Sequence, residues 1–311
     1  MNLNGKSVNR KRVLLGSAGL LVLMLILVIV WYIFSEWGLS PGKTPAPPDF
    51  DEQRAYADIE YQLSLGPRTI GSQAHTDTVN YIQDALRSAK WKVEVQDIDK
   101  DGHPIRNIIA KRGKGSPWII LGAHYDSRFF ADRDPDPANR SLPVPGADDG
   151  ASGVAVLLEL GRALPTKMDG QIWLVFFDAE DNGGQNGWDW IMGSRAFVAD
   201  LQGKPDAVVI LDMVGDANLD IYMEANSNKI LKEEIWQQAA DLGYSQFHPS
   251  VKNSIIDDHT PFLQAGIPAV DIIDFNYLYW HTTNDTLDKV SAASLDVVGE
   301  TVLTWLLNYG K

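Results

Sequence analysis

Three carboxylates fall within four positions at Asp178, Glu180 and Asp181, directly behind the uncharged run QIWLVFF at 171–177. Carboxylates crowded at the end of a buried strand repel one another and lose solvation unless a cation compensates them. Further residues of the same chemical kind stand elsewhere in the chain. His124 and Asp126 follow PWIILGA, Asp148 and Asp149 sit in PGADDGASG, Asp212 closes AVVILD, and His281 lies in YWHTTND. Taken singly, each has an ordinary explanation: Asp148 or Asp149 as a helix N-cap, Asp178 and Asp181 as turn formers ahead of Asn182 and Gly183, His281 as a hydrogen-bonded surface imidazole. Taken together, they fit a divalent cation. Zinc accepts imidazole nitrogen and carboxylate oxygen in tetrahedral geometry, and a catalytic zinc keeps three protein ligands and one open position. Asp149, Asp181 and His281 form such a set, and Glu180, next to a ligand, is left free as an acid or base.

These residues need a scaffold that brings them to one edge. Apolar runs of strand length recur at 91–97, 105–112, 117–123, 171–177, 207–213 and 268–273, several of them continuous, as in strands buried on both faces. Helical periodicity separates them at 74–89, 153–164 and 230–242 and returns near the C-terminus in LDVVGETVLTWLLN. Alternation of this kind predicts an α/β fold, a mostly parallel central sheet with helices on both faces. In such sheets ligands bind beyond the carboxyl ends of the strands, and nearly every polar candidate above sits just past a strand.

At 45% hydrophobic and 22% charged residues, the 311-residue chain has the composition of a folded protein with a sizeable core. One stretch departs from it. Residues 13–34 carry no charge, long enough to cross a bilayer core of about 30 Å. They end in Trp31, Tyr32 and Phe34, aromatic residues suited to a membrane interface, rather than in a small-residue cleavage site. Lys6, Arg10, Lys11 and Arg12 precede the run without an acid, which predicts a cytoplasmic N-terminus and a single-pass protein of the cell membrane with its remainder extracytoplasmic. The expected organisation is a basic segment at 1–12, a transmembrane helix at 13–34, a Pro-rich linker at 35–50 and one catalytic domain at 51–311. A net charge of −14 argues against nucleic acid as a partner. Cysteine is absent, which excludes thiol catalysis, disulfides and thiolate metal sites.

Six motifs in order, HYDSRFFADRDPDPAN, PGADDGASGVAVLLEL, FFDAEDNGG, LDMVG, DDHTPFLQAGIPAVDII and YWHTTND, resemble the zinc-dependent glutaminyl cyclases of the animal and bacterial type, which share their fold with the zinc aminopeptidases. The resemblance covers roughly residues 61–308. It implies that Asp149, Asp181 and His281 are the zinc ligands, that Glu180 is the general acid/base, that Asp212 and Asp257 are acids hydrogen-bonded within the site, and that Trp280 is an aromatic wall beside the substrate. Animal cyclases carry Glu where this chain has Asp181, one methylene shorter. His124 and Asp212 match residues that hold a second zinc in the aminopeptidases, so the resemblance implies one zinc for a cyclase and two for an aminopeptidase. Asp257-Asp258-His259, where aminopeptidases usually show Ser-Asp-His, and the long DSRFFADRDPDP loop favour the cyclase.

The implied substrates are the N-termini of peptides or proteins, with membrane attachment through the N-terminal helix. The implied reaction converts N-terminal glutamine to pyroglutamate with release of ammonia, whereas an aminopeptidase would hydrolyse the first peptide bond. A non-catalytic ectodomain of the same fold is a third reading, disfavoured because all the candidate ligands are retained.

Other motifs lead nowhere. Asp132, Asp134 and Asp136 imitate the start of a calcium loop, but Pro137 occupies the position that needs Gly and Pro143 the position of the closing Glu. They are expected to form a rigid acidic loop near the site. Ser152 lies in GASG, which is no nucleophile elbow. His75, His103 and His248 have no evident partners and are expected at the surface, while His259 is a candidate for orienting a ligand.

Overall fold

The computed structural model describes residues 24–26, 28–29 and 49–310. The chain divides into two units, Met1–Pro47 and Pro48–Lys311. In the first, Met24–Ile26, Val28 and Ile29 are helical and exposed, and the rest of the expected transmembrane helix at 13–34 lies outside the described residues. Among the described residues no helix is long and apolar enough to cross a membrane.

The second unit holds a six-stranded sheet. Its strands are β1 (Lys92–Lys100), β2 (His103–Lys114), β3 (Trp118–His124), β4 (Gly170–Phe177), β5 (Ala207–Asp212) and β8 (Ala269–Ile273), in the order β1-β2-β4-β3-β5-β8. Strands β4, β3, β5 and β8 run parallel, whereas β2 is antiparallel to both β1 and β4. The reversed pair follows from the connection at Asp101-Gly102, both at positive φ, which leaves room for a hairpin and none for a crossover.

Side chains alternate across the sheet with period two. Ile119, Leu121, Ala123, Leu174, Phe176, Val209 and Leu211 join the larger core on one face. Ile120, Val175, Phe177, Val208 and Ile210 join a smaller core on the other. The larger face is covered by α1 (Glu52–Leu65), α2 (Gln73–Ser88), α3 (Ala151–Ala163), α5 (Lys229–Leu242) and α7 (Ala292–Asn308). Phe197 of α4 (Met192–Asp200) and Phe262 of α6 (Thr260–Gln264) pack on the other. Burial on both faces is why these strands read as unbroken apolar runs.

Five elements were not expected from the sequence. The buried side of α1 carries Asp58 and Gln62 beside Ala55 and Ile59, which breaks the apolar stripe. Asp58 is held there by Arg162 at 2.6 and 2.9 Å and by Tyr81. The short α4 and α6 are shorter than a periodicity argument can register, and β6 (Ile221–Glu224) with β7 (Phe247–Asn253) forms a separate two-stranded sheet in which β7 buries only Phe247.

Phe50, placed at the end of the expected linker, belongs to the core at 3% exposure, and its N–H donates to Glu300 at 2.8 Å. A methyl group on Gly299 would stand 2.3 Å from the Phe50 ring. Gly299→Ala is therefore expected to cost about 1–3 kcal/mol through forced displacement of that ring. The check is the melting temperature; an unchanged value would show that Phe50 contributes little to the entry of the chain into the domain.

Candidate active site

The parallel strands end at one edge, and their last residues and following loops carry the site. His124 ends β3, Glu180 and Asp181 follow β4, Asp212 ends β5, Asp149 precedes α3, and His281 lies in the turn before α7. All are buried.

Two sets of ligand atoms lie within 4.8 Å of one another, Asp149 with Asp181 and His281, and His124 with Asp149 and Asp212. In the first, His281 Nε2 stands 2.9 Å from Asp181 Oδ1 and 3.8 Å from Asp149 Oδ2. In the second, His124 Nε2 stands 3.1 Å from both Asp149 Oδ1 and Asp212 Oδ1. Asp149 is common to both. Asp149 Oδ2, Asp181 Oδ2 and His281 Nε2 are buried without a well-formed hydrogen bond, which is costly unless something electropositive stands among them. The donor set of two carboxylates and one imidazole therefore fits zinc, with Asp181 contributing despite its shorter side chain.

Backbone hydrogen bonds fix this arrangement. Asp126 accepts from Glu180 N at 3.1 Å, Asp181 N at 3.3 Å and Asn182 Nδ2 at 3.0 Å, while His124 Nδ1 lies 3.6 Å from it. One carboxylate thus ties the end of β3 to the loop after β4. Asp285 does the same for the other ligand, accepting from Asp148 N at 2.8 Å, Asp149 N at 3.3 Å and Tyr277 Oη at 2.6 Å. Asp132 lies 3.5 Å from His281 Nδ1, which leaves Nε2 to face the ligand set. Asp134 ties the same loop to the His281 turn through Thr283 N at 2.9 Å and Thr283 Oγ1 at 2.5 Å. The loop at 132–136 is thus the acidic neighbour of the site expected from the sequence. Ala179, Met213 and His281 all adopt positive φ at or beside these residues, a strained backbone that the surrounding bonds must hold.

The electrostatics are those of a crowded acidic site. Burial and the charge of Asp149 push the Asp181 carboxyl up to about 6. Burial and Asp257 push Asp212 to about 8. Glu180 is raised well above the ordinary range, first by burial and then by Asp257 and Asp181. Asp149 goes the other way, since His124 and His281 outweigh its burial. Burial alone would lower His281, but Asp181 and Asp132 lift it to about 9.

A cavity of about 370 Å³ opens on this edge and brings Glu180, Asp212 and Asp257 together with Trp280, Phe275 and Ile256. Trp190, which no sequence argument singled out, lines it and lies parallel to His281 at 6.0 Å between ring centroids. Arg128, equally unexpected, sits 4.8 Å from the Trp190 ring and donates to the Asp181 carbonyl. A methyl on Gly183 would come within 2.1 Å of the Trp190 ring. Gly183→Ala is expected to displace that ring and lower activity by about 10-fold, as losses of ligand-supporting contacts do. Activity within experimental error of the parent would show that Trp190 is not needed.

Several expectations are corrected. Neither Asp148 nor Asp149 caps α3, whose N-cap is Gly150 with no side-chain bond. Asp148 Oδ1 instead accepts from Gly215 N at 2.6 Å. Asp178 is not a turn former before Asn182. It accepts from Arg106 N at 2.8 Å and Ala179 N at 2.9 Å, and pairs at 2.8 Å with His75, which is buried rather than at the surface. His248 has a partner in Asp220 at 2.6 Å, and His103 lies against Trp188 at 4.3 Å. His259 touches neither ligand set; its ring faces Glu224 and Asp271.

The whole arrangement has counterparts. A glutaminyl cyclase from Tannerella forsythia matches at a TM-score of 0.78 with 35% identity, over 84% of this chain and 99% of that one. A Zn-dependent exopeptidase from Parabacteroides distasonis matches at 0.80 with 32% identity, over 85% and 100%. The glutaminyl-peptide cyclotransferase of Drosophila melanogaster is 27% identical over 85% of this chain and 86% of that protein. The resemblance read from the six motifs holds at this level. Since the model of peptidase family M28 matches residues 107–306, which span the sheet edge and every ligand described above, the chain belongs to peptidase family M28.

Proposed function

We propose that the chain is a glutaminyl-peptide cyclotransferase, converting an N-terminal glutamine to pyroglutamate and ammonia. The observation that carries this reading is Glu180, standing free in the cavity beside the Asp149, Asp181 and His281 set, with Asp257 where a peptidase of this kind usually has Ser. The names of the similar proteins support it, with the exopeptidase as counterweight.

Zinc held by Asp149, Asp181 and His281 would polarise the side-chain carbonyl of the substrate glutamine. Glu180 takes a proton from the terminal amine as its nitrogen bonds to the side-chain amide carbon. The same carboxyl then delivers that proton to the departing amide nitrogen, which leaves as ammonia. Burial and the charge of Asp257 keep the affinity of Glu180 for a proton high enough for both transfers, with Asp212 in the same cavity wall. Trp280 walls the closing ring and, with Trp190, limits water.

The aminopeptidase is a second reading because His124, Asp149 and Asp212 are assembled as a second set. One assay separates the two. Incubated with a Gln-initiated peptide, a cyclase releases ammonia and shortens nothing, whereas a peptidase releases a free amino acid and the loaded protein carries two metals per chain. Attachment through residues 13–34, with the catalytic domain outside the cell, accompanies this proposal on the strength of the uncharged run and the basic residues before it. Recovery of the full chain in the soluble fraction without detergent would remove it.

A further inference from the structure

Among the described residues one arginine has no oxygen to bind, and it stands against the wall of the cavity. Arg133 is exposed on the loop at 132–136, and its N–H donates to the His281 carbonyl at 3.2 Å. Its guanidinium carbon lies 4.3 Å from the ring centre of Trp280, which precedes His281 and lines the cavity. Asp134 of the same loop is fastened to Thr283, so the loop, the metal-ligand turn and the wall form one connected piece.

The carboxylates beside Arg133 are committed elsewhere. Asp132 accepts from Arg128 Nε at 2.8 Å and Nη2 at 3.0 Å. Asp134 accepts from Asp136 N at 2.9 Å and Asn139 Nδ2 at 3.2 Å as well as from Thr283, and Asp136 caps its own turn at Ala138 N. Every other arginine among the described residues meets a carboxylate, amide or carbonyl oxygen, the loosest being Arg195 at 3.7 Å from Asp189. Arg133 meets none, in a chain where Asp and Glu outnumber Lys and Arg by 41 to 27. A guanidinium carries five N–H donors in a planar fork that matches a carboxylate, and resting it over an aromatic face fixes its place while leaving those donors available.

The charges of the cavity orient a bound peptide. Glu180, Asp181, Asp212 and Asp257 stand inside it and attract a terminal amine, whereas Ile256 at 67% exposure and Phe275 at 36% give it an apolar rim. On the cyclotransferase reading the first residue lies against Trp280. An extended chain advances about 3.3–3.6 Å per residue, so a group seated on that ring is within reach of the second or third residue.

We propose that Arg133 is a specificity-determining residue: its guanidinium, held over Trp280, donates to a carboxylate on the second or third residue of the peptide, so that the substrates include N-termini in which an acidic residue closely follows the glutamine. The inference rests on the cyclotransferase reading for the identity of the first residue. The overall negative charge of the chain disfavours acidic peptides in general, and Arg133 reverses that locally.

The test uses the full chain in detergent with peptides that begin with Gln and carry Glu, Gln or Lys at position two or three. The parent is expected to show a kcat/KM about 2- to 5-fold higher for Glu than for Gln at one of these positions, the size of one exposed charge pair, through KM and with kcat unchanged. Raising the salt from about 50 mM to about 500 mM is expected to erase that advantage in the parent itself, independently of any variant. Arg133→Gln is expected to remove it while leaving the peptides without Glu near their parent values, and Arg133→Lys to keep part of it, since the charge remains without the fork. Equal kcat/KM for Glu and Gln at both positions in the parent would overturn the proposal. So would a loss in Arg133→Gln by one common factor for all the peptides, which would mean that the guanidinium only supports the Trp280 ring. If the parent releases an amino acid and no ammonia, the cyclotransferase reading falls, and the ratio of the Glu to the Gln peptides, read on the released amino acid, decides this inference separately.

Discussion

Glu180→Gln is expected to lower kcat on a Gln-initiated peptide by about 10²- to 10⁴-fold, the usual contribution of a positioned proton-transfer group. The upper part of that range applies because one carboxyl both receives the amine proton and returns it to the leaving nitrogen. The substitution keeps the size of the side chain and removes its capacity to accept a proton. It should leave the metal set intact, since Asp126 holds the backbone of Glu180 and Asp181 through their N–H groups and not through the Glu180 side chain. Bound zinc per chain, measured beside the kinetics, therefore separates loss of chemistry from loss of metal. Activity in the variant equal to that of the parent would remove Glu180 from the reaction.

Stripping the metal with a chelator is expected to abolish turnover, and zinc is expected to restore it with an affinity that falls as the pH falls. The sign follows from the ligands. His281 is raised to about 9 in the metal-free site and so holds a proton at neutral pH, while Asp181, raised to about 6, is mostly ionised there. Each must be unprotonated to bind, so metal uptake releases about one proton between pH 6 and 9 and about two below pH 6. Filling the second set displaces about two further protons near neutral pH, because Asp212 is raised to about 8 and His124 is raised well above its ordinary value by Asp212, Asp126 and Asp149 against the effect of burial. Calorimetric titrations in buffers of different ionisation enthalpy count those protons. Zinc affinity independent of pH across this range would mean that Asp181 and His281 are not ligands.

The buried strands and the residues at their ends were legible because continuous apolar runs and the sudden carboxylates after them are local signals. Asp149, Asp181, His281, Asp212 and Asp257 line one cavity, and His124 stands 3.1 Å from both Asp149 and Asp212. What stayed hidden was support from a distance. Asp285 is separated by 136 residues from Asp149, whose N–H it accepts, and Arg128 by 53 from the Asp181 carbonyl. Trp190 follows a Gly-rich turn with no periodicity around it. His75 looked isolated because its partner, Asp178, lies 103 residues away. Helix α1 was missed for a related reason: its buried polar side chains make sense only once Arg162 and Tyr81 are known to meet Asp58.

The carboxylate of Asp149 belongs to both ligand sets, one oxygen turned toward His124 and the other toward His281. Two cations seated there would be neighbours competing for the same electron density, so the first to arrive weakens the grip on the second. Occupancy should then rise in two unequal steps, and a slight change at His124 or Asp212 would suffice to turn a double centre into a single one without disturbing the rest of the molecule.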